Sequence, residues 1–285
     1  MKAPHSILMV SPDYYDIVDE KNIHMSGQSD KVNLEIAKKQ WHDLHDIYLQ
    51  LTIEKVLNRV NVIEGIPGCE DMVFAANQSI PFIDSSGNRK VIISRMKHSS
   101  RQREIPAFEA YYSSCGYELI YPPQGIVVEG MGDLLSVPGA DIWLAGYGQR
   151  TQYEALEWLK DILPGEMIPI ALNNPYFYHL DTCMIPVNKH TLLYCREAFD
   201  ISGINRISQI FEHLVAIPIE EARDGFALNA HLVVGENRNV AVIQKGNDQT
   251  ISAMKDLNID VIQTDTSEFM RSGGSVFCMK MMVYE

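Results

Sequence analysis

The 285-residue chain has no CxxC pair, and its cysteines, Cys69, Cys115, Cys183, Cys195 and Cys278, are odd in number. A disulfide framework or a structural zinc site needs thiols at fixed spacings, so neither is expected. There is no apolar run of membrane length. The N-terminal run is only ILMV before Ser and Pro, too short for a signal-peptide core. These absences point to a reducing, cytoplasmic setting with no membrane partner. Basic residues are scarce: 24 Lys and Arg against 37 Asp and Glu leave a net charge of −13. Phosphate backbones are bound by clustered Lys and Arg, so nucleic acid is not an expected partner. The same field favours a cationic small molecule. Neither GxGxxG nor GxxxxGK[ST] occurs, so the nucleotide-fold signatures are missing.

The chain also lacks a proline-rich or low-complexity divider, so residues 1–285 read as one domain. Hydrophobic residues, at 46%, suffice for a sizeable core. Their spacing sets up a rhythm. SILMVSP reads as a buried strand. Trp41, Leu44, Tyr48 and Leu51 recur at helical spacing within 29–58. REIPAFEAYYSSCG reads as a helix with Pro in its first turn and Gly at its end. DLLSVPG and DIWLAGYG read as a hairpin across Pro-Gly. The order of two or three strands, one helix and one strand then recurs about every 50–60 residues, a spacing typical of repeat architectures. The expected fold is therefore α/β, built from repeated ββαβ units.

Polar residues that interrupt apolar runs are the chemical clue, because buried charge is costly unless it is paired or used. Asp71 and Asn77 bracket MVFAA, inside a run, MVFAANQSI, that reads as strand-like. Glu129 and Asp133 bracket two glycines. His179 and Asp181 stand at i and i+2, which on a strand would share a face. Cys278 lies in what reads as the last strand, behind Gly273 and Gly274. Each has a plain structural reading: a core thiol, a hydrogen-bonded pair, a polar turn. Their joint occurrence favours a site.

Taken together these motifs resemble the guanidine-modifying penteins: arginine deiminases, dimethylarginine hydrolases, arginine dihydrolases and amidinotransferases. The resemblance spans 6–285 and rests on Glu129-Gly-Met-Gly-Asp133, His179-Leu-Asp181, the glycine run ending at Cys278, Arg101 near RQRE, and Arg150-Thr151. It implies an α/β-propeller of five ββαβ repeats with pseudo-fivefold symmetry around a central substrate channel. It implies Cys278 as the nucleophile, since the thiolate is the attacking form. It implies His179 as the acid and base, held charged by Glu129. Asp181 would grip the guanidinium, Arg101 and Arg150 the substrate carboxylate, and Asp71 and Asn22 the amino-acid end. Asn22 also reads as a helix cap. No metal or organic cofactor is implied, and a homo-oligomer is left open.

Asn77 separates the branches. Deiminases and dimethylarginine hydrolases carry aspartate there, whereas the dihydrolases carry asparagine in a similar context. An amide can donate to the ureido carbonyl left after one hydrolysis, which a carboxylate cannot. The resemblance thus favours arginine dihydrolysis to ornithine, two ammonia and carbon dioxide. The alternatives are hydrolysis that stops at citrulline, amidino transfer, action on citrulline, or a non-catalytic pentein acting as a binding module.

Overall fold

A computed structural model describes residues 4–29, 31–235 and 238–285. Fifteen strands form in chain order among these residues: β1 (Ser6–Val10), β2 (Arg59–Ile63), β3 (Ser79–Ile83), β4 (Arg89–Ile93), β5 (Glu118–Ile120), β6 (Leu134–Ser136), β7 (Ile142–Tyr147), β8 (Glu166–Ala171), β9 (Met184–Pro186), β10 (Thr191–Tyr194), β11 (His213–Ala216), β12 (His231–Val234), β13 (Asn239–Gln244), β14 (Ile259–Thr264) and β15 (Met281–Val283). They pair as five three-stranded sheets: β3-β4-β5, β6-β7-β8, β9-β10-β11, β12-β13-β14 and β15-β1-β2. In each sheet one outer strand is antiparallel to the middle strand and the other is parallel to it.

This mixed pattern follows from the connections. An antiparallel pair can close through a short turn; a parallel pair needs a crossover, and here each is helical. Pro138-Gly139 closes the β6–β7 hairpin, with Gly139 at φ +79. The crossover helices are Leu34–Ile53, Ile105–Ser114, Tyr153–Lys160, Ile201–Ile210 and Asp248–Asp256. The structure therefore has five ββαβ units, as the pentein resemblance implies. The fifth is circularly split: β15 supplies the strand that β1 and β2 lack, with Ile7 opposite Met282.

The first crossover is shorter than the 29–58 read from spacing. Asn33 caps it by accepting from the Ile36 N–H at 3.2 Å, and Lys55, at φ +59, stops it. Its inward stripe is Ala37, Trp41, Leu44, Tyr48 and Leu51, all buried. The middle strands β1, β10 and β13 are almost wholly buried, which accounts for their unbroken apolar runs.

Three local expectations are corrected. His179 and Asp181 do not share a strand face, because Leu180–Thr182 is one turn of 3-10 helix. The turn is held by the Thr182 hydroxyl on the His179 carbonyl and by Asp133 on the Leu180 N–H. Cys278 precedes the last strand and does not lie within it; β15 begins at Met281. MVFAANQSI is not one strand: Ala75–Asn77 is a 3-10 turn leading into β3.

Candidate active site

The site is built from turns between sheets. Cys278 lies on a turn that needs its glycines. Gly273 sits at φ +86, and a side chain there would meet Asn22 at 2.7 Å. A Cβ on Gly274 would come within 2.5 Å of Phe74. The turn is clamped by Asn229, a residue that the sequence reading missed. Its Oδ1 accepts from the Ser275 and Cys278 N–H groups at 2.8 and 3.3 Å. Its Nδ2 donates to the Asp181 carbonyl at 3.1 Å and reaches Cys278 Sγ at 3.2 Å. Asn229 stands in the apolar stretch FALNAHLVV, the same kind of signal that marked Asn77.

The Cys278 thiol donates to Asp181 Oδ2 at 3.3 Å. Burial, and then the Asp181 charge, push this thiol well above its ordinary range. It is therefore a thiol at rest. A guanidinium seated between the two groups would offset both effects and favour the thiolate.

His179 and Glu129 meet as expected, with Nε2 to Oε2 at 2.9 Å and both residues buried. Glu129 Oε2 also takes Arg150 Nη1 at 3.2 Å, and Oε1 takes the Lys97 N–H at 2.8 Å. Burial alone would raise the Glu129 pKa, but Arg150 and His179 override it and hold the carboxyl well below the usual carboxylate range. Asp133 is a brace: it accepts the Leu180 and Thr151 N–H groups, each at 3.2 Å. It thereby joins the His179 turn to the Arg150 turn.

The two glycines of Glu129–Asp133 are required by packing. Gly130 has φ +51, and a Cβ there would meet the Asn77 backbone at 2.5 Å. A Cβ on Gly132 would sit 2.4 Å from Asn77 Nδ2 and 3.1 Å from the His179 ring. Asn77 is thus pressed against the histidine, its Nδ2 3.4 Å from His179 Nδ1. The orientation of its amide is dictated. Arg101 Nη1 donates to Asn77 Oδ1 at 3.0 Å, and an arginine can only donate. The Asn77 NH2 must therefore face His179 and the site.

The same contacts change the reading of Arg101. Its guanidinium is committed to Glu104 at 3.0 and 3.1 Å, to Asn77, and to the Asp71 and Phe74 carbonyls at 3.1 and 3.0 Å. Little donor capacity remains for a substrate carboxylate, so Arg101 serves first to orient Asn77. Its partner Glu104 was not anticipated. Burial raises the Glu104 carboxyl to about 7 despite Arg101. Arg150 is freer: it spends Nη1 on Glu129 and Nη2 on the Lys21 carbonyl at 2.8 Å, and lies 4.8 Å over the Tyr178 ring.

Asp71 is paired with Lys21 at 2.8 Å through Oδ2, while its buried Oδ1 has no hydrogen-bond partner among the described residues. Lys21 is a second residue without an obvious sequence signal. Asn22 caps the 3-10 turn Ile23–Met25 and donates to the Ser272 carbonyl at 2.9 Å. The reading of Asn22 as a cap is met, and the residue also lines the pocket. Asn22, Asp71, Asn77, Arg101, Arg150 and Cys278 are among the residues around one narrow cavity of about 20 Å³. A larger, mainly apolar cavity of about 170 Å³ includes Asp181 in its wall but not Cys278. The narrow cavity is the one that Cys278 faces.

Comparison with known proteins places the chain in a family. The family model described as N,N dimethylarginine dimethylhydrolase, eukaryotic, matches residues 15–285. The bifunctional arginine dihydrolase/ornithine cyclodeaminase AgrE of Nostoc sp. is 32% identical over 282 residues, covering 98% of this chain and 38% of AgrE. This chain thus spans about two fifths of that relative. The N(G),N(G)-dimethylarginine dimethylaminohydrolase of Mycobacterium tuberculosis is 30% identical over 253 residues, 89% of this chain and 78% of that protein. Among solved structures, the N-terminal domain of the cyanobacterial arginine dihydrolase ArgZ, bound to substrate, superposes with a TM-score of 0.88 at 30% identity and covers 98% of both chains. With its five-unit architecture and its Cys, His and carboxylate set, the chain belongs to the dimethylarginine dimethylhydrolase family, within the guanidine-modifying penteins.

Proposed function

We propose that the protein is an arginine dihydrolase, converting L-arginine and two waters to ornithine, two ammonia and carbon dioxide. Cys278 attacks the guanidinium carbon, His179 protonates the departing ammonia, and a covalent thiouronium forms. Water activated by His179 then releases citrulline and the thiolate. In a second round the thiolate attacks the ureido carbon and expels the second ammonia. Hydrolysis of the resulting thiocarbamate frees the cysteine and leaves a carbamate, which loses carbon dioxide to give ornithine. Asp181 holds the guanidinium nitrogens. Arg150 is the principal ligand of the α-carboxylate, with Arg101 behind it. The unpartnered Asp71 Oδ1 is suited to the α-ammonium, and Asn22 walls that end.

One observation carries the choice of a double hydrolysis: Arg101 fixes the Asn77 amide with its NH2 toward the site. Once the guanidinium has become a neutral ureido group, that NH2 can donate to its carbonyl and hold citrulline for the second attack. The dihydrolase names of the relatives support the same reading. The family model favours a second reading, hydrolysis of arginine or a methylated arginine that stops at citrulline. Incubation with L-arginine, followed by amino-acid chromatography and an ammonia assay, separates them. Ornithine with two ammonia per arginine supports the first. Citrulline with one ammonia overturns it. The same assay with dimethylarginine addresses the second.

A further inference from the structure

Lys280 is fully buried, yet its Nζ has no hydrogen-bond partner among the described residues. It lies two residues beyond the nucleophile and rests 3.2 Å from the centre of the Phe277 ring. A lysine at such a position is rare, because an ammonium removed from water without a partner is costly. None of the roles assigned so far uses it. Two more buried polar atoms nearby are also unpartnered: Asp181 Oδ1 and His231 Nε2. Both of those residues line the apolar cavity of about 170 Å³ behind the site. Asp181 therefore has two sides. Oδ2 faces Cys278, while Oδ1 is left without a bond to any described residue.

The groups around Lys280 leave it one electrostatic use. His231 is buried and bonded through Nδ1 to the Tyr48 hydroxyl at 3.0 Å. Burial, then Lys280 itself, keep that imidazole neutral. Tyr48 is likewise neutral, raised by burial. Cys278 is a thiol at rest, as argued above. Among these neighbours Asp181 is thus the one group able to carry a compensating negative charge. Burial lifts its carboxyl to about 7, against the opposing effects of the Cys278 hydrogen bond and of Lys280. Burial likewise lowers Lys280 to about 7, against the pull of Asp181 and Cys278. Each group's charge thus favours the other's.

We propose that Lys280 is a positioning residue that acts through Asp181: its ammonium, buried two residues beyond the thiol that contacts Asp181, keeps Asp181 ionised while the site awaits a cationic substrate. A protonated Asp181 would present a neutral acid to the guanidinium and lose the charged grip. The residue is specific to this role in type as well as place, since a neutral side chain of equal length would fill the space without the charge.

The proposal rests on the guanidinium-binding role of Asp181, and the test separates the two. The protein is labelled with ¹³C at aspartate carboxyl carbons, the Asp181 signal is assigned with Asp181→Asn, and it is titrated with and without Lys280→Met. Met conserves the volume, so the variant is expected to fold. The Asp181 midpoint should rise by about one pH unit or more, a tenfold change in the protonation equilibrium. An unmoved midpoint overturns the proposal whatever the reaction is. The second readout is KM and kcat for L-arginine between pH 6 and 9. In Lys280→Met the KM profile should be displaced to higher pH, with KM raised about tenfold near pH 6.5 and converging on wild type by pH 9. Equal losses in KM and kcat at every pH would mean a packing role and would also overturn it.

Discussion

At the scale of single residues the site is organised by donors that have no choice. Arg101 can only donate, so Asn77 must turn its oxygen to Arg101 and its NH2 to the site. Asn77→Asp would convert that contact to an ion pair and remove the NH2. We expect the first hydrolysis to survive within about tenfold while citrulline accumulates in place of ornithine, read by chromatography. Undiminished ornithine would remove the basis for the Asn77 argument. Glu129 is held charged by Arg150 and His179 far into acid. Its titration therefore cannot shape the neutral pH profile. Asp181 can: its carboxyl, raised to about 7, gains a proton as pH falls through neutrality. kcat/KM for a cationic guanidine should fall on that side with a midpoint near 7, and Asp181→Asn should abolish this limb along with most activity. Glu129→Gln leaves Arg150 buried with a weaker partner. We expect a loss of about 100-fold or more in kcat/KM and a lowered melting temperature.

At the scale of elements, the turns carry more of the function than the strands do. Gly132→Ala should drive a methyl into the Asn77 amide, which is backed by Arg101 and cannot retreat. The expected result is loss of turnover by about 100-fold in a protein that still folds, checked by circular dichroism beside the assay. Substitution at Gly87, where a Cβ would meet nothing within 4 Å but the φ of +84 strains any side chain, should lower stability and leave turnover intact. This difference also explains what the sequence revealed. Middle strands and crossover helices were legible because burial on both faces, or on one stripe, leaves apolar runs of distinct period. Cys278, His179 and Glu129 were legible because polar residues in apolar surroundings are costly. The turns were not legible as such: His179-Leu180-Asp181 alternates like a strand, and only the remote Asp133 and the Thr182 hydroxyl bend it into 3-10 helix. Lys21 acts on Asp71 and, through its carbonyl, on Arg150, both distant in sequence, which one-dimensional spacing does not display; Glu104, three residues from Arg101, and Asn229, a polar residue in an apolar stretch, did carry local signals.

At the scale of the whole molecule, the charge of −13 and the buried ionisable cluster make separate predictions. Long-range attraction of a cationic substrate should weaken with salt, so kcat/KM for arginine should fall as ionic strength rises from 0.01 to 0.3 M, by about a few-fold. A neutral substrate such as citrulline should show no such trend. Stability should respond to Lys280 in a defined direction. Its folded-state value, lowered to about 7, lies below the unfolded value near 10.4. The unfolded chain therefore binds more protons between these limits, and stability from this group rises with pH across them. Lys280→Met should melt higher than wild type at pH 6, with the advantage shrinking toward pH 10. Differential scanning calorimetry across that range decides it.

The pairing of β15 with β1 joins chain segments some 270 residues apart, and the turn that carries Cys278 immediately precedes that seam. Closing the ring and seating the cysteine beside Asp181 are thus one event. A molecule whose seam is open has Cys278 in water, away from Asp181, where it reacts as an ordinary thiol. A closed molecule keeps it buried and protonated, and a protonated thiol alkylates slowly. A brief pulse of neutral alkylating reagent would then brand open rings and spare closed ones, so the sulfur doubles as a built-in tally of how often the propeller comes undone.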